Sequence, residues 1–326
     1  MEPRLVSVVL VTWNSASWLP RCLDALRRQT HSDRELIVVD NASMDDSTAL
    51  ASADATQLIR NATNRGFSAA VNQAIAVARG DCVQLVNPDC FLEPEYIARL
   101  VEVLRDDVGM ATGKLLREDG SGIDSMGIRM TRTGRHLDID EMADRRWQMA
   151  EVGPSSPAIR HPPSAIEVFG VSGAAAMYSM PFLRDVAIDD EIFDEDFFAY
   201  REDADIAWRG RLLGWRAVCV PEAIAYHVRR VTPDVRRTLP AEINMHGVKN
   251  RFLLRLKNEG SYLALRNAPF ELARDLVVLI ASLTIERTSL PAFAWLWRNR
   301  ARVLAKRRAI QQRRKVSDRA LARFFR

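Results

Sequence analysis

Leu5 to Trp13 (LVSVVLVTW) is an almost unbroken apolar, β-branched run. Strict alternation would mark a strand with one wet face; a continuous run predicts a strand buried on both faces. The period then changes. Leu19, Cys22, Leu23 and Leu26 recur at three- and four-residue spacing, which predicts a helix up to Arg28. Glu35 to Asp40 (ELIVVD) is a second strand, Ser47 to Ala53 a helix with Asp45, Asp46 or Ser47 as N-cap, and Gln57 to Arg60 a weaker third strand. Phe67 to Arg79 is alanine-rich and helical, with Gly80 where a C′ glycine belongs. Cys82 to Val86 is a fourth strand and Pro94 to Arg105 another helix.

Strands alternating with helices at this pitch imply βαβ crossovers: an α/β fold with a doubly wound, mostly parallel central sheet and helices on both faces. Ligands of such sheets bind beyond the C-terminal strand ends. Those ends carry Thr12-Trp13-Asn14, Asp40-Asn41 and Asn87-Pro88-Asp89. The pattern weakens over Gly113 to Pro163, which reads as a mobile insertion beside the ligand-binding edge. Val168 to Met180 is strand-like again. Glu202 to Leu213 is a helix closed by Gly214, and Arg216 to Val220 and Ala223 to His227 are two short strands. Leu276 to Ile285 is apolar but too short to cross a bilayer.

Composition narrows the class. With 326 residues, 48% hydrophobic and 27% charged, the chain has enough apolar material for a real core, which excludes a disordered protein. Four scattered cysteines make neither a disulfide framework nor a zinc site. No signal peptide is expected, and the cysteines suit a cytoplasmic protein. The net charge of +4 is unevenly spread: residues 298–326 hold twelve Lys and Arg against one acid, Asp318, for +11, leaving −7 on the rest. An acidic body gives no electrostatic reason to bind nucleic acid. The basic tail, preceded by Trp295 and Trp297, suits an anionic membrane surface or, equally, the acidic body itself.

Candidate chemistry gathers at the strand ends. Asp40 can accept hydrogen bonds from a ribose or a base imide, with Asn14 and Asn41 beside it, although Asp40-Asn41-Ala42-Ser43 also reads as a strand-ending turn. Gly66, in Asn64-Arg65-Gly66-Phe67, allows close backbone approach at a helix N-terminus that favours phosphate. Pro88 stiffens a turn that holds Asp89 out of the sheet end, where an oxygen ligand suits Mg2+ or Mn2+ on a diphosphate. Glu202, Asp203 and Asp205 open a helix, and Arg209 and Arg211 are available for phosphate or for those acids. His227, a neutral imidazole, is an acceptable ligand for Mn2+.

Five ordered features, VVLVTWN, IVVDNAS, NRGFSAAVN, QLVNPD, and FFAYREDADIAWRGRLLGW followed by His227, together resemble the inverting, nucleotide-sugar-dependent glycosyltransferases of family 2, with a GT-A fold. The resemblance covers roughly residues 5 to 260, and the NRGF and NPD variants are most similar to the rhamnosyltransferase and galactofuranosyltransferase-like branch. It implies that Thr12 and Asp40 hold base and ribose, with Asn14, Asn41, Gly66 and Asn87 on the donor side. It implies Asp89 and His227 as ligands of a divalent cation, Asp203 as general base, and Glu202 and Trp215 on the acceptor side. Asn87 replaces the first carboxylate of the family's Asp-x-Asp, and Arg211-Leu212-Leu213-Gly214-Trp215 replaces the Gln-x-x-Arg-Trp of processive members, which argues for adding a single sugar.

The expected organisation is a GT-A domain over residues 1–260, with a nucleotide-sugar half (1–110) and an acceptor half (165–260), and a basic helical extension over 261–326. The expected partners are a nucleotide-sugar donor such as dTDP-rhamnose, a glycan or lipid-linked glycan acceptor of cell-surface polysaccharide assembly, and an anionic membrane on whose inner face the protein sits. A galactofuranosyl- or hexosyltransferase, and a sugar-nucleotide-binding or nucleotidyltransferase protein, share the same sheet.

Overall fold

The computed structural model describes residues 4–140, 165–228 and 241–326. Strands β1 (Val6–Thr12), β2 (Arg34–Asp40), β3 (Gln57–Arg60) and β4 (Cys82–Val86) alternate with helices α1 (Leu19–Arg27), α2 (Ser47–Ser52) and α3 (Phe67–Val77). These four strands pair in parallel in the order β3-β2-β1-β4, with Thr12 opposite Asp40. β1 lacks alternation because both its faces are covered. Val9 joins Ile37, Ala70 and Val71 under α3; Val8 and Leu10 join Leu19, Leu23 and Leu100 under α1 and α4 (Tyr96–Val103).

Beyond β4 the sheet becomes mixed. β11 (Ala176–Ser179) runs antiparallel between β4 and β6 (Val108–Arg117). β12 (Arg216–His227) lies parallel to β6 and antiparallel to β5 (Cys90–Leu92) and β10 (Ile166–Val168). The hairpin β8 (Ile128–Met130) and β9 (His136–Asp138) stands as a second small sheet, and β7 (Ile123–Ser125) pairs with β6. The remaining helices are α5 (Met180–Val186), α6 (Glu202–Leu213), α7 (Ala241–Asn258), α8 (Ser261–Thr284), α9 (Pro291–Arg298), α10 (Arg300–Arg313) and α11 (Asp318–Leu321).

Several local expectations change. Gly80 is not a C′ glycine, because α3 ends at Val77 with Ala78 extended; it is needed where a Cβ would meet the Ser7 backbone nitrogen at 2.6 Å. Gly113 to Pro163 is not one loop: its first part completes β6 and builds β7, β8 and β9, while residues 141–164 lie outside the described residues. Arg216 to Val220 and Ala223 to His227 form one strand with a register irregularity between Val220 and Ile224.

Residues 261–326 share a core with the central sheet. Val303, Ile310, Leu321, Phe324 and Phe325 pack in the same cluster as Phe169 and Trp208. Much of the basic tail is held by the acidic body: Arg302 by Asp196, Lys306 by Glu191 and Asp194, Arg313 by Asp185 and Arg323 by Glu167. Asp194 also receives Lys257, and these two ammonium groups outweigh its burial and hold the carboxyl below the usual carboxylate range.

Candidate active site

The loops after β1 and β2 close on one another. The Asn14 backbone N–H donates to Ser43 Oγ and its Oδ1 accepts from the Met44 N–H. Asn14 takes a left-handed φ of 49°, which asparagine tolerates better than most residues. Asp40 Oδ2 accepts from the Ser43 N–H at 3.2 Å. Its Oδ1 is buried without a partner among the described residues, and so is Thr12 Oγ1 on the facing strand. Two neighbouring buried polar atoms without partners are costly unless a ligand supplies them. Asn41 is instead spent on the scaffold: its amide donates to Asn64 Oδ1 and the Gly66 carbonyl, and its Oδ1 accepts from Asn61 and the Arg65 N–H.

Gly66 serves a close approach. Its φ is +82°, and a Cβ there would lie 2.6 Å from the Phe198 ring, while the following Phe67 N–H donates to the Phe198 carbonyl at 2.6 Å. The segment it touches is strained: Phe198, Tyr200 and Arg201 all have φ between 64° and 72°. Such strain persists only where surroundings over-determine it. Asn250 of α7 does so, its amide donating to the carbonyls of Phe197, Ala199 and Tyr200 at 2.8–2.9 Å. The result is a helix start, α6, that delivers Glu202 and Asp203 to a cleft of about 920 Å³.

Asp203 Oδ2 accepts from the Gly173 N–H at 3.3 Å and Oδ1 from the Ala204 N–H at 2.7 Å. Burial raises its pKa to about 6. Burial and then the Asp203 charge raise Glu202 further, to about 8, and Glu202 Oε2 has no partner among the described residues. With two backbone N–H groups on it, Asp203 ionises first and Glu202 stays protonated at neutral pH. Asp205 points away, into Arg209, Lys257 and Asn258. Arg209 and Arg211 are buried and bonded to Asp205 and Glu167, not open to a phosphate.

Across the cleft the β5–β12 pairing sets His227 opposite Cys90 and therefore beside Asp89. His227 Nε2 lies 3.6 Å from Asp89 Oδ1, and Nδ1 lies 2.8 Å from Asp124 Oδ2. Burial lowers the imidazole pKa, but the hydrogen bonds and charges of the two carboxylates outweigh it and lift it to about 9. The donor set fits a divalent cation: one carboxylate and one imidazole nitrogen close enough to share an ion, with Asp124 fixing the ring as an outer carboxylate does for metal-bound histidines. Among the described residues no group of three or more such ligands is assembled, so an ion there would take its remaining ligands from a diphosphate and water.

The cleft brings together Asn87, Glu202, Asp203 and His227. Asp40, Thr12 and Asn14 lie on the same strand-end edge but do not line it. Trp215 does not reach it: it sits at the other end of α6, about 18 Å away along the axis, donating to Asp185 at 2.7 Å and packing edge-on against Phe182. The residues that the sequence left undistinguished are Asp124, Arg129 and His136 on the middle strands, Asn250, and Arg274 on α8. The one signal for the first two was the short alternation around Ile123-Asp124-Ser125-Met126 and Ile128-Arg129-Met130, cut by Gly127.

The family model described as Glycosyl transferase family 2 matches residues 7–160. The putative glycosyltransferase EpsH of Bacillus subtilis (strain 168) is 29% identical over 114 residues, 34% of this chain and 33% of that protein. The chain thus spans about a third of that relative. Among solved structures, GalNAc-T7 with UDP, GalNAc and Mn2+ superposes with a TM-score of 0.58 at 13% identity, over 78% of this chain and 48% of that one. The mannosyltransferase PcManGT from Pyrobaculum calidifontis, in complex with GDP-Man and Mn2+, gives 0.55 at 18% identity over 96% of this chain and 85% of that one. These neighbours show the GT-A fold, and residues 7–160, a little under half of the chain, are similar to the family 2 glycosyltransferases.

Proposed function

We propose that the protein moves one sugar from a nucleotide donor to a hydroxyl of a glycan acceptor with inversion at the anomeric carbon. The observation that carries this reading is the shared cleft: a buried carboxylate pair, Glu202 and Asp203, lines it together with His227, whose ring nitrogen lies 3.6 Å from Asp89. The nucleoside would lie along the loops after β1 and β2, where Thr12 Oγ1 and Asp40 Oδ1 await partners. Asp89 and His227 would hold a divalent cation, Mg2+ or Mn2+, which supplies Lewis-acid stabilisation of the departing diphosphate. Asp124 keeps the His227 ring in place for that task. Asp203 takes the acceptor proton; its raised pKa makes it a better base than an exposed aspartate. Glu202, protonated beside it, is placed to donate a hydrogen bond to the acceptor.

The NRGF and NPD variants favour a rhamnosyl donor, and a lipid-linked glycan of cell-surface polysaccharide assembly is the acceptor that suits a protein seated peripherally on a membrane. Incubation with dTDP-rhamnose, UDP-galactofuranose, UDP-glucose and GDP-mannose, each with Mg2+ or Mn2+, tests the reading. Metal-dependent transfer or hydrolysis of one donor supports it. Tight nucleotide-sugar binding with neither reaction would make the protein a binding module and overturn it.

A further inference from the structure

Helix α8 has its polarity reversed. Its buried positions include Asn267, Glu271 and Ser282. Glu271 pairs with Arg255, and Asp275 with Arg251, both on α7. On the outward face Leu265, Leu272, Leu276, Leu279, Ile280 and Leu283 recur at helical spacing and are 41% to 81% exposed. They form a stripe about 27 Å long on one side of the helix. No exposed position of α8 is charged. A surface helix of a water-soluble domain normally turns its charges outward, and an apolar face of this length marks an interaction surface.

We propose that α8 rests along this stripe on an anionic lipid surface. The charge distribution after it selects that occupant. Arg287, Arg298 and Arg300 are exposed and, among the described residues, have no ion-pair partner, whereas Arg302, Lys306, Arg313 and Arg323 are already held by acids of the body. Arg300 lies 4.3 Å over the ring of Trp297, which is itself 69% exposed. A tryptophan beside unneutralised arginines, following an uncharged apolar stripe in the chain, is what an interfacial segment presents to headgroups and acyl chains. α8 is placed along the surface and not across it because its inner face is ion-paired to α7; no single helix among the described residues is long and apolar enough to span, and α8 with the following helix, which together have the length and composition, are bent by 111°. The docking element is therefore α8, not the basic tail as a whole.

The same helix reaches the cleft. Arg274, opposite the stripe, lines it. A helix is about 10–12 Å across, so the cleft would open roughly one helix diameter above the lipid. This consequence rests on the glycosyl-transfer reading: an acceptor with a lipid tail would meet Asp203 without leaving the bilayer.

Flotation of the full chain with phosphatidylcholine–phosphatidylglycerol vesicles tests the docking alone. The wild type should partition to vesicles. L272Q/L276Q/I280Q should weaken partitioning about a hundredfold, and R298Q/R300Q about 30-fold on anionic vesicles and little on pure phosphatidylcholine. Circular dichroism and retained nucleotide-sugar binding show that each variant is folded. Unchanged partitioning of the triple variant overturns the proposal. So does a wild type that ignores vesicles but forms a dimer that the triple variant abolishes, since the stripe then belongs to a second copy. Vesicle binding without sugar transfer would leave the docking standing and sink the functional reading instead.

Discussion

The two sides of the proposed site are built by opposite routes. On the edge beside the cleft proposed for the donor, Thr12 and Asp40 end, and Asn87 follows, strands that pair directly with a sequence neighbour or near neighbour, and consecutive βα units bring their ends into line. On the other side, His227 is held by Asp124 across 103 residues, and the strained turn before Glu202 is held by Asn250 from a helix about fifty residues on. The first side is a property of local units. The second exists only when distant segments are already folded. The donor edge should therefore tolerate damage to the far side, and the reverse.

Asp203→Asn gives the largest effect. Transfer should fall about 10²–10⁴-fold while nucleotide binding, measured by calorimetry, stays close to wild type. A parallel loss of both would mean that the two sides are not separable. Asp124→Asn should come next. Acting through the His227 ring, it should lower metal affinity about 10–100-fold, and excess Mn2+ should restore much of the transfer rate. A loss that metal cannot rescue would show that Asp124 acts on the fold and not on His227.

The pH profile sharpens the assignment on the second side. Asp203 must be ionised to take a proton, and burial has raised its pKa to about 6. Transfer rate should thus climb with pH, about tenfold per unit, up to that value and level off above it. The acid limb should vanish in Asp203→Asn; its persistence there would move the base elsewhere.

Gly66→Ala places a methyl against Phe198 at a left-handed φ. It should cost about 1–3 kcal/mol of stability, seen in urea unfolding, and weaken donor and acceptor functions together because Gly66 is where the two sides touch. Trp215→Phe is the smallest perturbation. It loses the bond to Asp185, outside the cleft, and should leave kcat within about twofold. A tenfold fall in kcat would return Trp215 to the acceptor side.

The chain's local patterns identified the parallel half of the sheet nearly residue by residue, since a strand covered on both faces must be continuously apolar and a one-sided helix must repeat at its own period. They singled out Asp40, Asp89, Asp203 and His227 because each stands at or next to the end of such an element; the structure sets Asp203 and His227 in the cleft and Asp89 3.6 Å from His227. They misplaced Trp215, because a residue after a helix start of known chemistry looks close in number though it lies a full helix length away. They could not find Asn250 or Asp124, whose roles consist wholly of hydrogen bonds to remote segments. The basic tail shows the same limit. Its composition announced a charge of +11, but whether that charge faces lipid or body depends on which acids stand opposite. Asp185, Asp194 and Asp196 come within reach of Arg313, Lys306 and Arg302 only after α5, α6 and α10 have packed. Periodicity acts between neighbours in the chain and is written there. Electrostatic partnership acts between neighbours in space, over a few ångströms, and arises only on folding.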